Sequence, residues 1–290
     1  MGLHGMLTRI TLIGVIISAI VAAAVAAALA KPDCPHKCGN VSVPFPFGLT
    51  DGCYLNEDFH ITCDDDVTAK TGDVTVTNIS IESHELRVLQ YVARDCYDSI
   101  GESVQNNDPY FWTTMYTISK TKNKFTVVGC DTYAYLSGEQ NDEKDWTRCM
   151  SLCYSLHNVV NGSCSGVGCC EVELPDGLKN ISVSVGSYYN HTNVSDFNLC
   201  GYAFVVEQGQ FNFSSDDLRN ISSKRLPMVL DWAIGNETCR EATRNQTNFA
   251  CKGNSECHDL HSWDGYRCKC KQGYQGNPYL DDGCQGIIHL

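Results

Sequence analysis

Cysteine is the residue type in this sequence that could support the most kinds of chemistry. The chain holds 18 cysteines, all between Cys34 and Cys284. Thiols in this number pair as disulfides in an oxidising compartment or bind metal ions in a reducing one. A zinc site could use Cys149, Cys153, Cys169 and Cys170. Cys164 stands in the nucleophile position of "GSCSG", a sequence that mimics a nucleophile elbow. The compartment decides between these chemistries.

The first 30 residues predict export. Arg9 is followed by an uncharged apolar run, Ile10 to Ala30, which ends in Ala-Leu-Ala. A basic start, an apolar segment and a small-residue exit are typical of a secretory signal peptide, so we assign residues 1–30 to one. The alternative is an uncleaved signal anchor, since about 20 apolar residues can span a bilayer. In both cases the rest of the chain reaches an oxidising compartment, where disulfides are expected and Cys164 is expected to be inert.

Glycosylation sequons support extracellular residence independently. The chain contains ten Asn-x-Ser/Thr sequons, a high count for its length, and glycosylated sites must face solvent in the secretory lumen. The sequons begin at Asn40, Asn78, Asn161, Asn180, Asn190, Asn193, Asn212, Asn220, Asn236 and Asn245. We therefore expect a secreted glycoprotein of the extracellular space.

The net charge excludes two classes of partner. Of 21 basic residues, Arg9 lies in the leader, so 20 basic residues face 34 acidic ones after its removal, a net charge of −14. This charge argues against nucleic acids and anionic membrane surfaces as partners. A membrane contact is expected only if the N-terminal segment stays uncleaved.

The last six cysteines form a compact group at Cys239, Cys251, Cys257, Cys268, Cys270 and Cys284. A segment of about 46 residues cannot bury enough surface to fold unaided, so three disulfides must replace its core. Cys268 and Cys270 flank one residue and should reach different partners. Spacing alone leaves 15 connectivities open. The twelve earlier cysteines allow six further bridges, and the adjacent Cys169 and Cys170 would point to opposite faces of a strand.

The elements that position these residues are mainly strands. Short segments rich in β-branched and aromatic residues are separated by polar turns. The predicted strands are 73–81, 85–93, 124–136, 179–189 and 201–213, with a short helix near 216–221. The predicted fold class is all-β and disulfide-rich: a β-rich, cysteine-stapled domain followed by a small module.

Several motifs in order carry a family resemblance. "CPHKCGNVSVPFPFG" (34–48), "VGCDTYAYL" (128–136) and "NGSCSGVGCCEVELPDGLKNI" (161–181) come first, followed by "CGYAFVVEQGQFNFS" (200–214) and "VLDWAIGNETC" (229–239). The chain resembles the ectodomain of plant wall-associated kinases. "GYRCKC" and "GYQGNPYLDDGC" resemble an epidermal-growth-factor-like module, which implies the pairs Cys239–Cys257, Cys251–Cys268 and Cys270–Cys284.

The resemblance implies a domain order. We expect a galacturonan-binding domain at 31–225, a linker at 226–238, the growth-factor-like module at 239–284 and a tail at 285–290. Family members usually continue into a membrane span and a kinase, whereas this sequence contains no "HRD" or "DFG" motif. We therefore expect a protein that is not an enzyme and has no kinase activity. We also expect it to bind no cofactor and no metal.

The ligand implied by the resemblance is pectin, in the form of de-esterified galacturonan or its oligosaccharides. Its carboxylates would meet lysine or arginine, and its sugar faces would stack on aromatic rings. The predicted binding residues lie in a stretch of about 80 residues without sequons: Arg87, Arg94, Trp112, Lys120, Lys122 and Lys124. In "SKTKNK" the three lysines alternate, so an extended strand would direct all three to one side.

Three alternatives stay open. Calcium could bridge pectate to acidic runs such as "CDDD" at 63–66. The chain could instead be a protein-interaction module, a partner or soluble decoy for wall proteins or a full-length receptor ectodomain. A pectin hydrolase is the third reading, but nothing in the sequence brings two carboxylates together.

Overall fold

The computed structural model describes residues 29–113, 115–140, 143–245, 248–260 and 264–287. Residues 1–28 of the assigned signal peptide and 288–290 of the tail lie outside the described residues. The fold is mostly β, as predicted, and nine disulfides join all 18 cysteines. The contacts divide the chain into two compact units, unit 1 (up to Ser83, with Asn236–Asp259 and Gly265–Leu290) and unit 2 (His84–Gly235, with Leu260–Asp264).

Unit 1 combines the N-terminal segment with the C-terminal cysteine group. Its N-terminal strands are β1 (Lys37–Cys38), β2 (Val41–Ser42), β3 (Thr62–Asp64), β4 (Thr68–Thr71) and β5 (Val74–Ser80). Strands β1 and β2 pair with each other, and β3, β4 and β5 pair antiparallel in chain order. Disulfides Cys34–Cys53 and Cys38–Cys63 fasten this segment. Phe47 and Phe59 pack edge-on with ring centroids 5.1 Å apart, so the segment has a small aromatic core.

The C-terminal part of unit 1 has little regular structure besides its disulfides. A four-residue helix α1 opens it, capped by Thr238, and two short hairpins follow. The elements are α1 (Cys239–Ala242), β18 (Ser255–Asp259), β19 (Tyr266–Cys270), β20 (Tyr274–Gly276) and β21 (Cys284–Gly286). The bonds are Cys239–Cys257, Cys251–Cys268 and Cys270–Cys284, which is the pairing that the resemblance implies.

Unit 2 contains three antiparallel groups of strands. The first has the order β10–β17–β6, from β6 (Glu85–Tyr91), β10 (Tyr116–Ile118) and β17 (Arg225–Trp232). The second has the order β14–β11–β16–β7–β8, from β7 (Ala93–Tyr97), β8 (Ser103–Asn107), β11 (Asn123–Val128), β14 (Cys169–Val172) and β16 (Cys200–Glu207). The third has the order β13–β12–β15–β9, from β9 (Tyr110–Phe111), β12 (Asp131–Gln140), β13 (Glu143–Leu152) and β15 (Lys179–Ser187).

The core of unit 2 is apolar and lies largely around β16. Tyr202, Phe204 and Val206 of this strand pack with Phe213 and Leu218, all at most 2% exposed. Burial of such side chains contributes about 1.5–3 kcal/mol each. Ser215–Leu218 form a 3₁₀ turn capped by Ser214, where the sequence predicts a longer helix at 216–221. A capping box begins the turn, since the Asp217 carboxylate accepts a hydrogen bond from the Ser214 backbone N–H.

Four disulfides cross-link unit 2, and they include all the cysteines that could have formed a zinc site. The bonds are Cys96–Cys200, Cys130–Cys153, Cys149–Cys170 and Cys164–Cys169. The adjacent Cys169 and Cys170 reach different partners, as their opposite directions on β14 require. All four candidate zinc ligands are consumed in these bonds, and Cys164 is bonded and has no thiol to act as a nucleophile.

Two predicted boundaries differ from the structure. The predicted single strand at 124–136 is two strands, β11 and β12, which belong to different sheets. The chain turns at Gly129, whose φ is +151° and where a Cβ would lie 2.0 Å from the Thr132 hydroxyl, so only glycine fits. The expected linker at 226–238 contains most of β17, because Leu226, Met228 and Leu230 alternate into the core.

Candidate functional site

The third sheet of unit 2 has one buried face and one exposed face rich in aromatic residues. Alternation sets this pattern, since successive side chains on a strand point to opposite faces. In β12, Ala134 and Leu136 are 1% exposed and point inward, so Tyr133 and Tyr135 point outward. In β13, Cys149 is buried while Trp146 is 55% exposed. The exposed side of this sheet therefore carries the rings.

Strand register brings these outward side chains together. Directly opposite residues of an antiparallel pair share a face. Across β12 and β13 the register pairs Tyr133 with Met150 and Tyr135 with Arg148. Trp146 lies opposite Ser137, one step further along the same face. We call the outward set the aromatic face, and its members are Tyr110, Tyr133, Tyr135, Trp146, Arg148 and Met150.

Three rings of the aromatic face, those of Tyr133, Tyr135 and Trp146, form a chain of contacts. The Tyr135 ring meets the Tyr133 ring at 5.7 Å and the Trp146 ring at 6.3 Å, both edge-on. Tyr188, just after β15, lies 4.9 Å from Tyr133. Burial, with the neighbouring Tyr135 next, raises the pKa of the Tyr188 hydroxyl, which stays a neutral hydrogen-bond donor. Edge-on pairs of this kind add about 0.5–1.5 kcal/mol beyond burial, so the rings hold one another in place.

A glycine makes room for the central ring. Gly186 of β15 lies opposite Tyr133, and a Cβ at this position would come within 2.7 Å of the tyrosine ring. The other positions of β15 on this face are serines, Ser182 and Ser184. Because Gly186 has no side chain, the Tyr133 ring can pack directly against β15.

Tyr135, Trp146 and Arg148 line a shallow cleft of about 250 Å³ on the aromatic face. The guanidinium carbon of Arg148 lies 5.4 Å from the Tyr135 ring centroid, within cation–π range. Within the described part of the chain, no carboxylate forms an ion pair with Arg148. The cleft therefore places the planar Arg148 cation beside the exposed Trp146 ring and the half-buried Tyr135 ring.

This chemistry suits an acidic sugar. A guanidinium binds a carboxylate through two parallel hydrogen bonds, which an ammonium cannot do. Aromatic rings present flat apolar surfaces to the C–H faces of a sugar ring, and their polar ends remain hydrated. The volume is smaller than that of most enclosed ligand pockets, about 300–1,000 Å³, so the cleft fits one ring of a chain lying across an open face.

The predicted lysines lie elsewhere and are paired with acids. Lys120 lies 3.5 Å from Asp176, Lys122 lies 3.3 Å from Glu85, and Lys124 pairs with Glu173. Lys120 and Lys122 belong to the turn between β10 and β11, and only Lys124 lies on a strand. The expectation that one strand directs all three to the same side is therefore wrong. The chain turns here because Asn123, buried between Ser119 and Val229, fixes the loop by hydrogen bonds.

The predicted arginines also have partners. Arg87 on β6 pairs with Glu207, and Arg94 on β7 donates to the backbone carbonyls of Ile221 and Ser223 at 2.7 and 2.9 Å. Together the three lysines and Arg87 face four carboxylates, so their local charge sums to zero. Trp112 is 71% exposed and follows β9, two residues after Tyr110 of the aromatic face. The six predicted residues are thus spread over the three sheets of unit 2.

Comparisons with known proteins show similarity to one family. A family model described as wall-associated receptor kinase galacturonan-binding matches residues 34–90. Wall-associated receptor kinases 2, 5 and 1 of Arabidopsis thaliana are 41%, 42% and 38% identical over 88–89% of this chain. Over most of its length the chain is similar to a part of wall-associated receptor kinases. No solved structure matches it.

The match covers a part of each relative. The chain spans about a third of the length of the curated relatives that it matches, 35%, 35% and 34% for the three named. In the described residues no helix is long and apolar enough to cross a membrane. Of the predicted binding residues, Arg87 lies inside the segment matched by the family model, and the aromatic face lies outside it.

The aromatic face was not among the sites predicted from the sequence. Its signal was present as alternation: aromatic residues at positions 133 and 135, then Trp146, Arg148 and Met150, each two residues apart. A period of two marks one face of a strand. The predicted site at Lys120–Lys124 rested on basic residues alone. The cation of the cleft is instead Arg148, which lies beside aromatic rings.

The acidic run at 63–66 forms a hairpin turn. Asp65 and Asp66 have φ values of 51° and 58°, and Asp64 pairs with Lys70. Among the described residues, no group of three or more acidic, cysteine or histidine side chains is arranged to hold a metal ion. The aromatic face is therefore the better candidate site.

Proposed function

We propose that this protein is an extracellular, non-catalytic polysaccharide-binding protein that recognises de-esterified galacturonan of cell-wall pectin. The observation that carries the proposal is the cleft of Tyr135, Trp146 and Arg148 on an exposed sheet face. Large exposed aromatic surfaces are uncommon on soluble proteins and mark binding sites. The family of the relatives, with its galacturonan-binding segment, supplies the ligand class.

In the proposed mechanism, the protein recognises both the carboxylate charges and the sugar-ring faces that repeat along the polymer. Arg148 would bind the carboxylate of one galacturonate residue bidentately, and Trp146 and Tyr135 would stack against that sugar or its neighbour. Methyl esterification removes the charge of the carboxylate and one acceptor oxygen, so it should weaken this contact selectively. A net charge of −14 repels a polyanion at long range, which makes a local, geometrically specific cation necessary.

The absence of glycans from this face is part of the proposal. Strands β9, β12 and β13 lie within the stretch that has no sequon between Asn78 and Asn161. Nine of the ten sequon asparagines are exposed, and Asn180, on β15, is half-buried. Asn180 accepts from the Thr113 backbone and donates to Glu139, so its amide is engaged in the fold. Glycans on the exposed sequons would leave the aromatic face open to a polymer.

The location that we propose is the cell wall, reached by secretion, with attachment through an uncleaved N-terminal segment as the alternative. Kinase and hydrolase activity are not part of the proposed role. The predicted lysine cluster and calcium bridging remain competing accounts of the same binding, and the protein-interaction reading predicts no polysaccharide binding at all.

The test is calorimetry of the secreted protein with purified oligogalacturonides, both de-esterified and methyl-esterified, with and without calcium. We expect binding to the de-esterified form that weakens with salt and survives chelation. Binding that disappears on chelation would favour calcium bridging, and binding to wall proteins without binding to any pectin would favour the protein-interaction role. Product release from the oligosaccharide would contradict the non-catalytic assignment.

A further inference from the structure

Leu29 and Ala30 are integral parts of unit 1, although the sequence analysis assigns both to the leader. The Leu29 carbonyl accepts hydrogen bonds from the Phe45 backbone N–H at 3.0 Å and from the Asn277 side-chain amide at 2.7 Å. Ala30 is 7% exposed. A partly buried carbonyl that accepts two hydrogen bonds is a structural group, unlike the end of a segment destined for removal.

Asn277 depends on this carbonyl. Its side chain is 2% exposed, and its Nδ2 donates to the carbonyls of both Leu29 and Phe45. Its Oδ1 accepts the Tyr279 backbone N–H at 3.0 Å. The two Nδ2 protons and the two acceptors match, so removing Leu29 would leave one buried donor without its partner.

Lys31 is held in place through both its side chain and its backbone carbonyl. Its Nζ donates to the Gly52 carbonyl at 2.9 Å and lies 4.6 Å from the Phe45 ring centroid, while its own carbonyl accepts from the Cys34 N–H. If the mature chain began at Lys31, a charged α-ammonium would replace the peptide bond to the buried Ala30. Charged groups resist burial without a counter-charge, so this terminus would be poorly accommodated.

We propose that the leader is cut at the Ala28–Leu29 bond, so that Leu29 is the first residue of the mature protein. Signal cleavage requires small residues at the first and third positions before the cut. Ala26 and Ala28 satisfy this rule as well as Ala28 and Ala30 do, so the sequence alone does not choose between the two bonds. The fold chooses, because only the earlier cut retains the Leu29 carbonyl.

The step is a hydrolysis with water as co-reactant. Water adds across the amide, the C–N bond between Ala28 and Leu29 breaks, Ala28 leaves with a carboxylate, and Leu29 keeps a free amino group. The inference rests on the secretory part of the proposed function and is independent of the ligand.

The direct test is mass spectrometry of the N-terminal peptide of the protein secreted from plant cells after expression of the full chain. We expect a peptide beginning at Leu29. A peptide that begins at Lys31, or a leader that stays attached, would overturn the proposal.

A double-variant comparison tests the structural premise. Chains that start at Leu29 and at Lys31, each released at a defined protease site, are compared by melting temperature, with and without Asn277→Ala. We expect the Lys31 start to melt at a lower temperature, and Asn277→Ala to lower the melting temperature by less in that chain than in the Leu29 chain. Asn254→Ala is the matched control, since Asn254 donates to the Cys284 carbonyl instead, and its effect should be the same in both chains. Equal melting temperatures with additive effects of Asn277→Ala would contradict the premise.

Discussion

Arg148 and Tyr135 face each other across β12 and β13, with the guanidinium carbon 5.4 Å from the ring centroid. The same type of contact occurs between Arg225 and Tyr91, at 5.6 Å, on the β17–β6 pair. Both pairs lie at the surface of unit 2, but only the first lies beside Trp146 in a cleft. The second pair therefore provides matched controls for the site.

Replacement of Trp146 by alanine should weaken binding to de-esterified oligogalacturonide by about tenfold, because an exposed aromatic anchor is removed from the contact. Trp146 is 55% exposed, so stability should change little. Tyr91→Ala, an exposed ring on β6, is the control and should bind as the wild type does. Calorimetry measures both. Equal losses in the two variants would show that the aromatic face has no special role.

Gly186→Ala should reduce binding without touching the ligand. A Cβ at this position would meet the Tyr133 ring at 2.7 Å, so the ring must move and with it the contact to Tyr135. We expect a several-fold loss of affinity with a retained fold, measured by calorimetry and circular dichroism. Gly286→Ala serves as a control for glycine replacement, since a Cβ there meets nothing within 4 Å and the backbone is not in the left-handed region. Unchanged affinity of Gly186→Ala would argue that the ring geometry is irrelevant.

The combined replacement Lys120→Gln, Lys122→Gln and Lys124→Gln tests the original prediction. Because each lysine faces a carboxylate, removing all three charges should change the affinity less than threefold at moderate salt. A loss as large as that of Trp146→Ala would return the site to the lysine cluster. The elution volume of the variant in size-exclusion chromatography should also be measured, to check that it stays folded with three unpaired carboxylates.

The stability of unit 2 should fall in mildly acidic solution because of His191. Burial lowers the pKa of His191, and its hydrogen bond to the Asn198 carbonyl and the carboxylates of Asp131 and Asp95 oppose this only in part. The unfolded state therefore binds the proton more readily, so stability is fully present above the unfolded pKa of about 6.5 and is lost as pH falls below it.

Melting temperatures at pH 7.5 and 5 measure this dependence. His191→Phe should melt lower than the wild type at pH 7.5, since the hydrogen bond to Asn198 is lost, but should show a smaller drop at pH 5. His157→Gln, at an exposed position, should keep the wild-type difference. If His191→Phe kept the full pH difference, the dependence would belong to other groups.

The two disulfides of most unequal loop length should contribute unequally to stability. Cys96–Cys200 closes a loop with a sequence separation of 104, and Cys164–Cys169 one of 5. In the chain-entropy account these correspond to about 4.7 and about 2 kcal/mol. Unfolding in denaturant of the two paired Cys→Ala variants should reproduce this order. A larger loss for the Cys164–Cys169 pair would point to native-state contacts as the source of the stability.

Sequence reasoning reached the fold class but could not reach the site. Strand content and disulfide use follow from local composition and spacing, whereas the bonds of the last six cysteines are implied by the family resemblance alone. The site depends on register, because Tyr135 and Arg148 become neighbours only when β12 and β13 pair residue 135 with residue 148. The pairing of lysines with acids is equally non-local: Glu85 and Asp176 are distant from Lys122 and Lys120 in sequence, and charge counting along the chain does not show them.

The retention of Leu29 in the fold illustrates the same limit. Two small-residue exits overlap in "AAALA" (26–30); both fit the cleavage pattern, and the predicted leader ends at the one nearest to Lys31. The partners of the Leu29 carbonyl lie at Phe45 and Asn277, of which the second is 248 residues away. Local patterns contain no information on such a contact.

The most direct measurement of the central claim is calorimetric binding of de-esterified and methyl-esterified oligogalacturonides to Arg148→Gln and Arg225→Gln beside the wild type. A bidentate charged contact is worth about 1.5–3 kcal/mol, so Arg148→Gln should lose at least about tenfold in affinity for the de-esterified ligand and most of the preference over the ester. Arg225→Gln should retain both. Equal affinity and equal ester preference in the two variants would contradict the assignment of galacturonan recognition to the aromatic face.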